Sequence, residues 1–161
     1  MEMSEFRIVK IELDEDAGGP YVLLQEVEGS RRVRIHISLP DASVLFAAYQ
    51  GIPFPRPLTH DLILDILNEL GADVDRVCVV DLKDNIFYGR LVLRYFDREI
   101  SIDCRPSDGM NIAVRANAPV YIYENVLKEL EVLEQKEATK AGFMDLIAQL
   151  SSTKKDEEEE N

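Results

Sequence analysis

Two cysteines in 161 residues leave no room for a disulfide framework. Cys78 and Cys104 both fall in apolar, strand-like patterns, so the sequence predicts a reduced, cytoplasmic protein, with a bridge between them the less favoured alternative. No apolar run approaches the length of a membrane span, and no membrane partner is predicted. Met1-Glu2-Met3-Ser4-Glu5 is acidic and lacks the basic and apolar blocks of a secretory leader. Positive charge is scarce, with 18 Lys and Arg against 31 Asp and Glu, a net charge of −13. Such a chain repels phosphate backbones unless its cations are segregated. Also missing are a Glu-x-x-His pair, paired-histidine spacing, a Walker-type loop and a nucleophile elbow. No tandem repeat occurs, and low complexity is confined to the acidic tail.

What is present suits one domain. The length and a hydrophobic fraction of 46% allow a real core. Strand patterns occupy Phe6 to Leu13, Tyr21 to Val27 and the alternating stretch Val33, Ile35, Ile37. Asp14 to Pro20 is a hairpin loop, because calcium-loop spacing and a closing Glu are missing. Pro40-Asp41 opens a helix that Gly51 ends. Val77 to Val80 reads as a strand buried on both faces. Ile86 to Phe96 and Glu99 to Asp103 complete a three-stranded meander. Val120 to Tyr123 is a brief strand. Asn125 to Glu137 and Phe143 to Leu150 follow as two amphipathic helices, with Gly142 between them. The fold class expected is α+β, with a mixed, mainly antiparallel sheet and packed helices. The boundaries expected are a domain over 1–137, a helical extension over 138–152 and a disordered acidic tail over 153–161.

Two corners stand out. Ile102-Asp103-Cys104-Arg105-Pro106-Ser107-Asp108 leads from a strand into a helix carrying Met110, Ala113 and Val114. Pro106 stops the strand, and Ser107 is the expected cap, with Asp108 in the positive first turn. Phe54 to Asp61 does the same before a helix carrying Leu62, Ile63, Ile66, Leu67 and Leu70, with Thr59 as the expected cap. Arg31, Arg32 and Arg34 cluster on one strand, and Arg90, Arg94 and Arg98 in a hairpin. If those strands are neighbours, they make a basic patch; otherwise they are solvated faces balancing nearby acids.

Arg56-Pro-Leu-Thr-His-Asp61 followed by Asp103-Cys-Arg-Pro-Ser-Asp108 resembles the bifunctional nuclease domain family. Asp81-Leu-Lys-Asp-Asn-Ile-Phe-Tyr88 and Ala118-Pro-Val-Tyr121 fit the same pattern, and the resemblance covers Phe6 to Val126. The chain has Ile37-Ser38 and Asp41-Ala42 where members usually carry Ile-Gly and Glu-Ala. The resemblance implies a single α+β domain and, as for some members, hydrolysis of DNA and RNA.

On that reading Asp103, Asp108, His60 and Asp61 are the catalytic candidates. Asp103 and Asp108 would hold a divalent metal, magnesium or manganese, that activates water. Arg56 and Arg105 would clamp phosphate, with Thr59 and Ser107 at helix N-termini and Lys83 and Asn85 in a nearby turn. The alternative is a non-catalytic, oligomeric binding module in which the same residues are caps and ion-pair locks. Three structural expectations follow. Arg56 or His60 lies within reach of Asp103 or Asp108. Losing Arg105 beside a partly buried acid costs about 3 kcal/mol or more. The apolar faces of the terminal helices cover a second subunit, most simply in a dimer.

Overall fold

The computed structural model describes residues 1–159; Glu160 and Asn161 lie outside the described residues. The chain divides into two units after Val126. In order, the elements are β1 (Met3–Glu12), a short 3-10 turn (Glu15–Ala17), β2 (Tyr21–Glu26), β3 (Arg32–His36), α1 (Leu39–Tyr49), α2 (Thr59–Glu69), β4 (Ala72–Lys83), β5 (Ile86–Tyr95), β6 (Arg98–Cys104), α3 (Pro106–Ala116), β7 (Val120–Tyr123) and α4 (Glu124–Glu159).

One seven-stranded sheet carries the first unit, in the order β3-β2-β1-β7-β4-β5-β6. Every neighbouring pair is antiparallel except β4 and β7, which run parallel. This is the mixed, mainly antiparallel α+β architecture expected. Period-two alternation sets the faces of β3: Val33 and Ile35 are buried while Arg32, Arg34 and His36 are exposed. Helix α3 packs on β4 and β5, with α1 and α2 against it. Val77, Leu91 and Leu93 from the sheet meet Ile112 and Ala113 of α3, and Ile63 and Leu67 of α2 pack onto that cluster. Each fully buried side chain of this kind contributes roughly 1.5–3 kcal/mol.

Two glycines let the strand-to-helix corner sit close to the sheet. Gly89 lies across from Cys104 in the β5–β6 register. A Cβ there would meet Cys104 O at 2.9 Å and Pro106 N at 3.2 Å. A Cβ on Gly109 would meet Val77 Cγ1 at 2.7 Å. Bare backbone at both positions seats the start of α3 on β4 and β5.

Several expectations change. The two arginine groups are not neighbours, because β3 and β6 are opposite ends of the sheet. Leu62, Ile66 and Leu70, expected on the buried face of α2, are 53%, 50% and 65% exposed, and Ile63 and Leu67 do the packing. The two C-terminal helices are one: α4 runs through Gly142 without a break. A single glycine costs only about 1 kcal/mol in a helix, less than cooperative propagation from both sides supplies. The helix bounds reach Glu159, into the span read from the sequence as an acidic tail, whose last two residues lie outside the described ones. Phe143, Met144, Leu146 and Leu150 of this helix are exposed.

Candidate functional site

The two corners meet. His60 Nε2 lies 3.0 Å from Asp108 Oδ1, which satisfies the expected contact between them. His60 is buried, and its ring is fixed by a residue far away in sequence. The geometry follows from the helix starts. Helix α2 begins one residue earlier than a Thr59 cap would place it: Leu58 is the N-cap, and its N–H donates to Asp61 Oδ2 at 2.8 Å. Thr59 is exposed and caps nothing. Helix α3 likewise begins early, with Arg105 as N-cap and Pro106 as the first helical residue. Proline suits that position because its missing N–H has no intrahelical partner there anyway. Ser107 is therefore buried inside the first turn instead of capping it.

Asp108 is held from two sides. Arg105 Nε donates to Oδ2 at 2.8 Å, and a second guanidinium nitrogen donates to Oδ1 at 3.0 Å. The same guanidinium donates to Asp41 Oδ2 at 3.1 Å. Asp41, the residue standing for the family's Glu, thus joins the site. Hydrogen bonding from Arg105 is the main reason that Asp108 titrates below the usual carboxylate range; burial opposes it and His60 assists. An ionised Asp108 can only accept, so Nε2 of His60 carries the proton and a neutral ring has its lone pair on Nδ1. Nδ1 has no hydrogen-bond partner among the described residues. The one unpartnered side-chain nitrogen or oxygen sealed from solvent there is Arg76 Nε, so Nδ1 reaches water.

Asp61, next to His60, turns the other way. Arg115 Nε donates to its Oδ1 at 2.7 Å. Arg115 also donates to the carbonyl and side-chain oxygens of Asn111, both at 2.9 Å. Asn111 is fully buried and donates to Ser107 O at 3.0 Å and Asp41 O at 3.3 Å. Arg115 and Asn111 tie all three helices together, and neither stands out in the sequence. The available signal was Asn111-x-x-x-Arg115, one helical turn apart on the face that starts at Ser107. Burial alone would raise the pKa of Asp61, but the Leu58 N–H and Arg115 together hold it low.

The other candidates disperse. Arg56 is exposed and lines a separate groove of about 400 Å³ with Asp61, Asp65 and Arg115. Lys83 pairs with Asp81 at 2.7 Å. Asn85 does reach the corner, lining a groove of about 310 Å³ with His36, Ser38, Asp41, Arg105 and Ser107. Asp103 is exposed, and strand alternation sends it to the side opposite Cys104, whose sulfur lies close to Gly89 and Gly109. No hydrogen bond or ion pair joins Asp103 to Asp108 among the described residues. Burial, with Asp108 and Asp103 nearby, pushes the Cys104 thiol up to about 11, so it is protonated and a poor nucleophile at neutral pH.

A divalent cation at Asp103 and Asp108 does not fit these residues. Both oxygens of Asp108 are occupied by cationic or N–H donors. No three His, Cys, Asp or Glu groups converge among the described residues. Arg105 also departs from expectation. Its side chain is 63% exposed, so solvent screening keeps its pairs near the roughly 1 kcal/mol of surface ion pairs.

Acid stability should report on this network. Asp108 and Asp61 bind protons less readily in the folded chain than in the unfolded one. Their contribution is full above the ordinary carboxylate range and drains away as pH falls through the lowered folded values. Thermal melts between about pH 5 and pH 2 should show a shallower acid decline for Asp108→Asn than for the parent. Equal slopes would mean that Asp108 gains nothing from Arg105 and His60.

The model of the bifunctional nuclease domain matches residues 22–151. The chain belongs to the bifunctional nuclease domain family. A Mycobacterium tuberculosis protein described as uncharacterised is 39% identical over 143 residues, covering 86% of this chain and 85% of that one. Bifunctional nuclease 1 of Oryza sativa subsp. japonica is 29% identical over 119 residues, 68% of this chain and 36% of the rice protein. Bifunctional nuclease 1 of Arabidopsis thaliana is 28% identical over 114 residues, 68% of this chain and 35% of that protein. Both paired corners lie inside the span that the family model matches. No helix among the described residues is long and apolar enough to cross a membrane.

Proposed function

We propose that this chain hydrolyses phosphodiesters of DNA and RNA, with His60 as general base and Asp108 as its positioning residue. The observation that carries the reading is the buried His60 ring held at 3.0 Å by Asp108, whose carboxylate is itself anchored by Arg105. Nδ1 takes a proton from water as its oxygen bonds to phosphorus. The bond from phosphorus to the departing sugar oxygen breaks, and that oxygen takes a proton from solvent. The first turn of α3, whose N–H groups at Ser107 and Asp108 have no intrahelical acceptor, adds positive partial charge beside the site. Two free cysteines agree with a reducing, cytoplasmic setting.

The names of the plant relatives support the same reading. The test is release of fragments from labelled single-stranded RNA and DNA, with chelator and with magnesium or manganese. Turnover in chelator supports the His60 route. Turnover only with metal would assign the water activation to a cation and overturn it.

A second reading has its own observation. Arg105 and Arg115 are both spent on internal carboxylates, as a structural lock requires. Leu62, Ile66 and Leu70 on α2, and Phe143, Leu146 and Leu150 on α4, are exposed apolar surface that a second copy would cover. A non-catalytic oligomeric module would show no turnover under any metal condition, together with a dimer mass by light scattering.

A further inference from the structure

Among the described residues, five of the eleven arginines pair with acids, Arg105 and Arg115 at the helix corners included. Arg31 is held by Glu26 and Glu124, Arg76 by Asp75 and Glu99, and Arg94 by Asp75. Arg32 and Arg34, adjacent on one face of β3, are among those without such a partner. Arg32 Nε donates to the neutral Gln25 Oε1 at 2.6 Å. The Arg34 guanidinium lies 4.3 Å from the centroid of the Tyr21 ring. Neither has a carboxylate partner among the described residues, and both are exposed.

The strand register gathers more cations beside them. Arg7, Gln25 and Arg32 lie in one row across β1, β2 and β3. Lys10, Leu23 and Arg34 form the next row, and Glu12, Tyr21 and His36 the third. Residues paired directly across antiparallel strands project from the same face, and those two apart along a strand share it at roughly 7 Å spacing. One face therefore collects Arg7, Lys10, Arg32, Arg34 and His36. The acids on it are Glu12, tied to Lys10 at 2.7 Å, and Glu5 beyond Arg7. In a chain of net charge −13, this concentration of unneutralised guanidinium runs against the average. Its last member, His36, also borders the groove that holds Asp41, Arg105 and Ser107.

We propose that this face is the track for a single-stranded nucleic acid, whose phosphates run along Arg32 and Arg34 and past His36 into the groove at the start of α3. The inference rests on the phosphodiesterase reading and adds to it the surface that delivers the substrate. Charge complementarity selects a polyanion. Arg34 is preorganised by the Tyr21 ring, so little side-chain freedom is lost when it takes a phosphate. The row is one strand long and about 14 Å from end to end, which suits a few phosphates of one chain better than the two backbones of a duplex.

The test is binding of a short fluorescent single-stranded oligonucleotide by anisotropy, as a function of potassium chloride. Three or four neutralised phosphates predict a log–log salt slope of roughly −2 to −3. Arg32→Gln/Arg34→Gln should reduce the magnitude of that slope by about 1.4 and weaken low-salt binding about tenfold or more. Hydrolysis of bis(p-nitrophenyl) phosphate, too small to need the track, should persist in that variant. Arg90→Gln/Arg98→Gln, at the far end of the sheet, should leave slope and affinity unchanged. Unchanged binding in the Arg32/Arg34 variant, or an equal loss in the Arg90/Arg98 variant, overturns the track while the hydrolase reading stands. Tighter binding of duplex DNA or of phosphatidylserine vesicles through Arg32 and Arg34 overturns it by assigning the face to another partner. Parent protein that neither binds the oligonucleotide nor cleaves the small diester overturns both.

Discussion

Arg115→Ala should be the most destabilising single change at the site, costing about 2–3 kcal/mol, mainly through the buried acceptors it leaves unpaired, and lowering the melting temperature by roughly 5–10 °C. The Arg115 side chain is 8% exposed, in contrast to Arg105. Removing it leaves the Asp61 carboxylate, the Asn111 side-chain oxygen and the Val44 carbonyl oxygen without their donor where three helices pack. The Asp61 carboxylate, 38% exposed, regains water, but the fully buried Asn111 oxygen does not. Arg115→Lys should recover only part of this, since an ammonium cannot reach Asp61, Asn111 and Val44 in the planar fork that a guanidinium offers. Equilibrium urea unfolding checks the prediction. A change under about 1 kcal/mol would mean that these bonds are surface ornaments instead of a tie between α1, α2 and α3.

Asp108→Asn should cut phosphodiester turnover about 100-fold or more and leave KM nearly unchanged. An Asn side-chain oxygen in place of Oδ1 can still accept from His60 and from Arg105. The ring therefore keeps its orientation, while the negative charge that stabilises a protonated imidazole is lost. The variant should melt within a few degrees of the parent at neutral pH. If kcat and KM both hold, Asp108 is a lock and not a positioning residue. If KM rises alone, Asp108 shapes substrate binding and His60 is not the base.

Much of this was legible in the chain. Alternation at Val33 and Ile35 marked β3, and Pro106 marked the turn into α3. The shared motif logic predicted that the corner holding His60 would meet the corner holding Asp108. Local rules failed where two local solutions compete. Thr59 and Ser107 are good caps, yet Asp61 already answers the Leu58 N–H and Pro106 needs no partner, so α2 starts one residue sooner and α3 two. Asp103 was grouped with Asp108 by proximity in sequence, but strand alternation separates the directions of their side chains. Asn111 and Arg115 stayed hidden because their partners come from α1 and α2, and no local pattern says which face of α3 those helices cover. Strand order was hidden for the same reason. The pairings of β7 with β1 and β4 join segments far apart in sequence, and they send the two arginine groups to opposite ends of the sheet.

The central claim is that His60 does chemistry. The measurement that tests it most directly is cleavage of a labelled single-stranded RNA and its DNA counterpart by the parent and by His60→Gln, in chelator, with both proteins shown to melt cooperatively. The expected result is turnover by the parent and a loss of about 100-fold or more in the variant on both substrates. Equal turnover by the two proteins, or none by the folded parent, would contradict it.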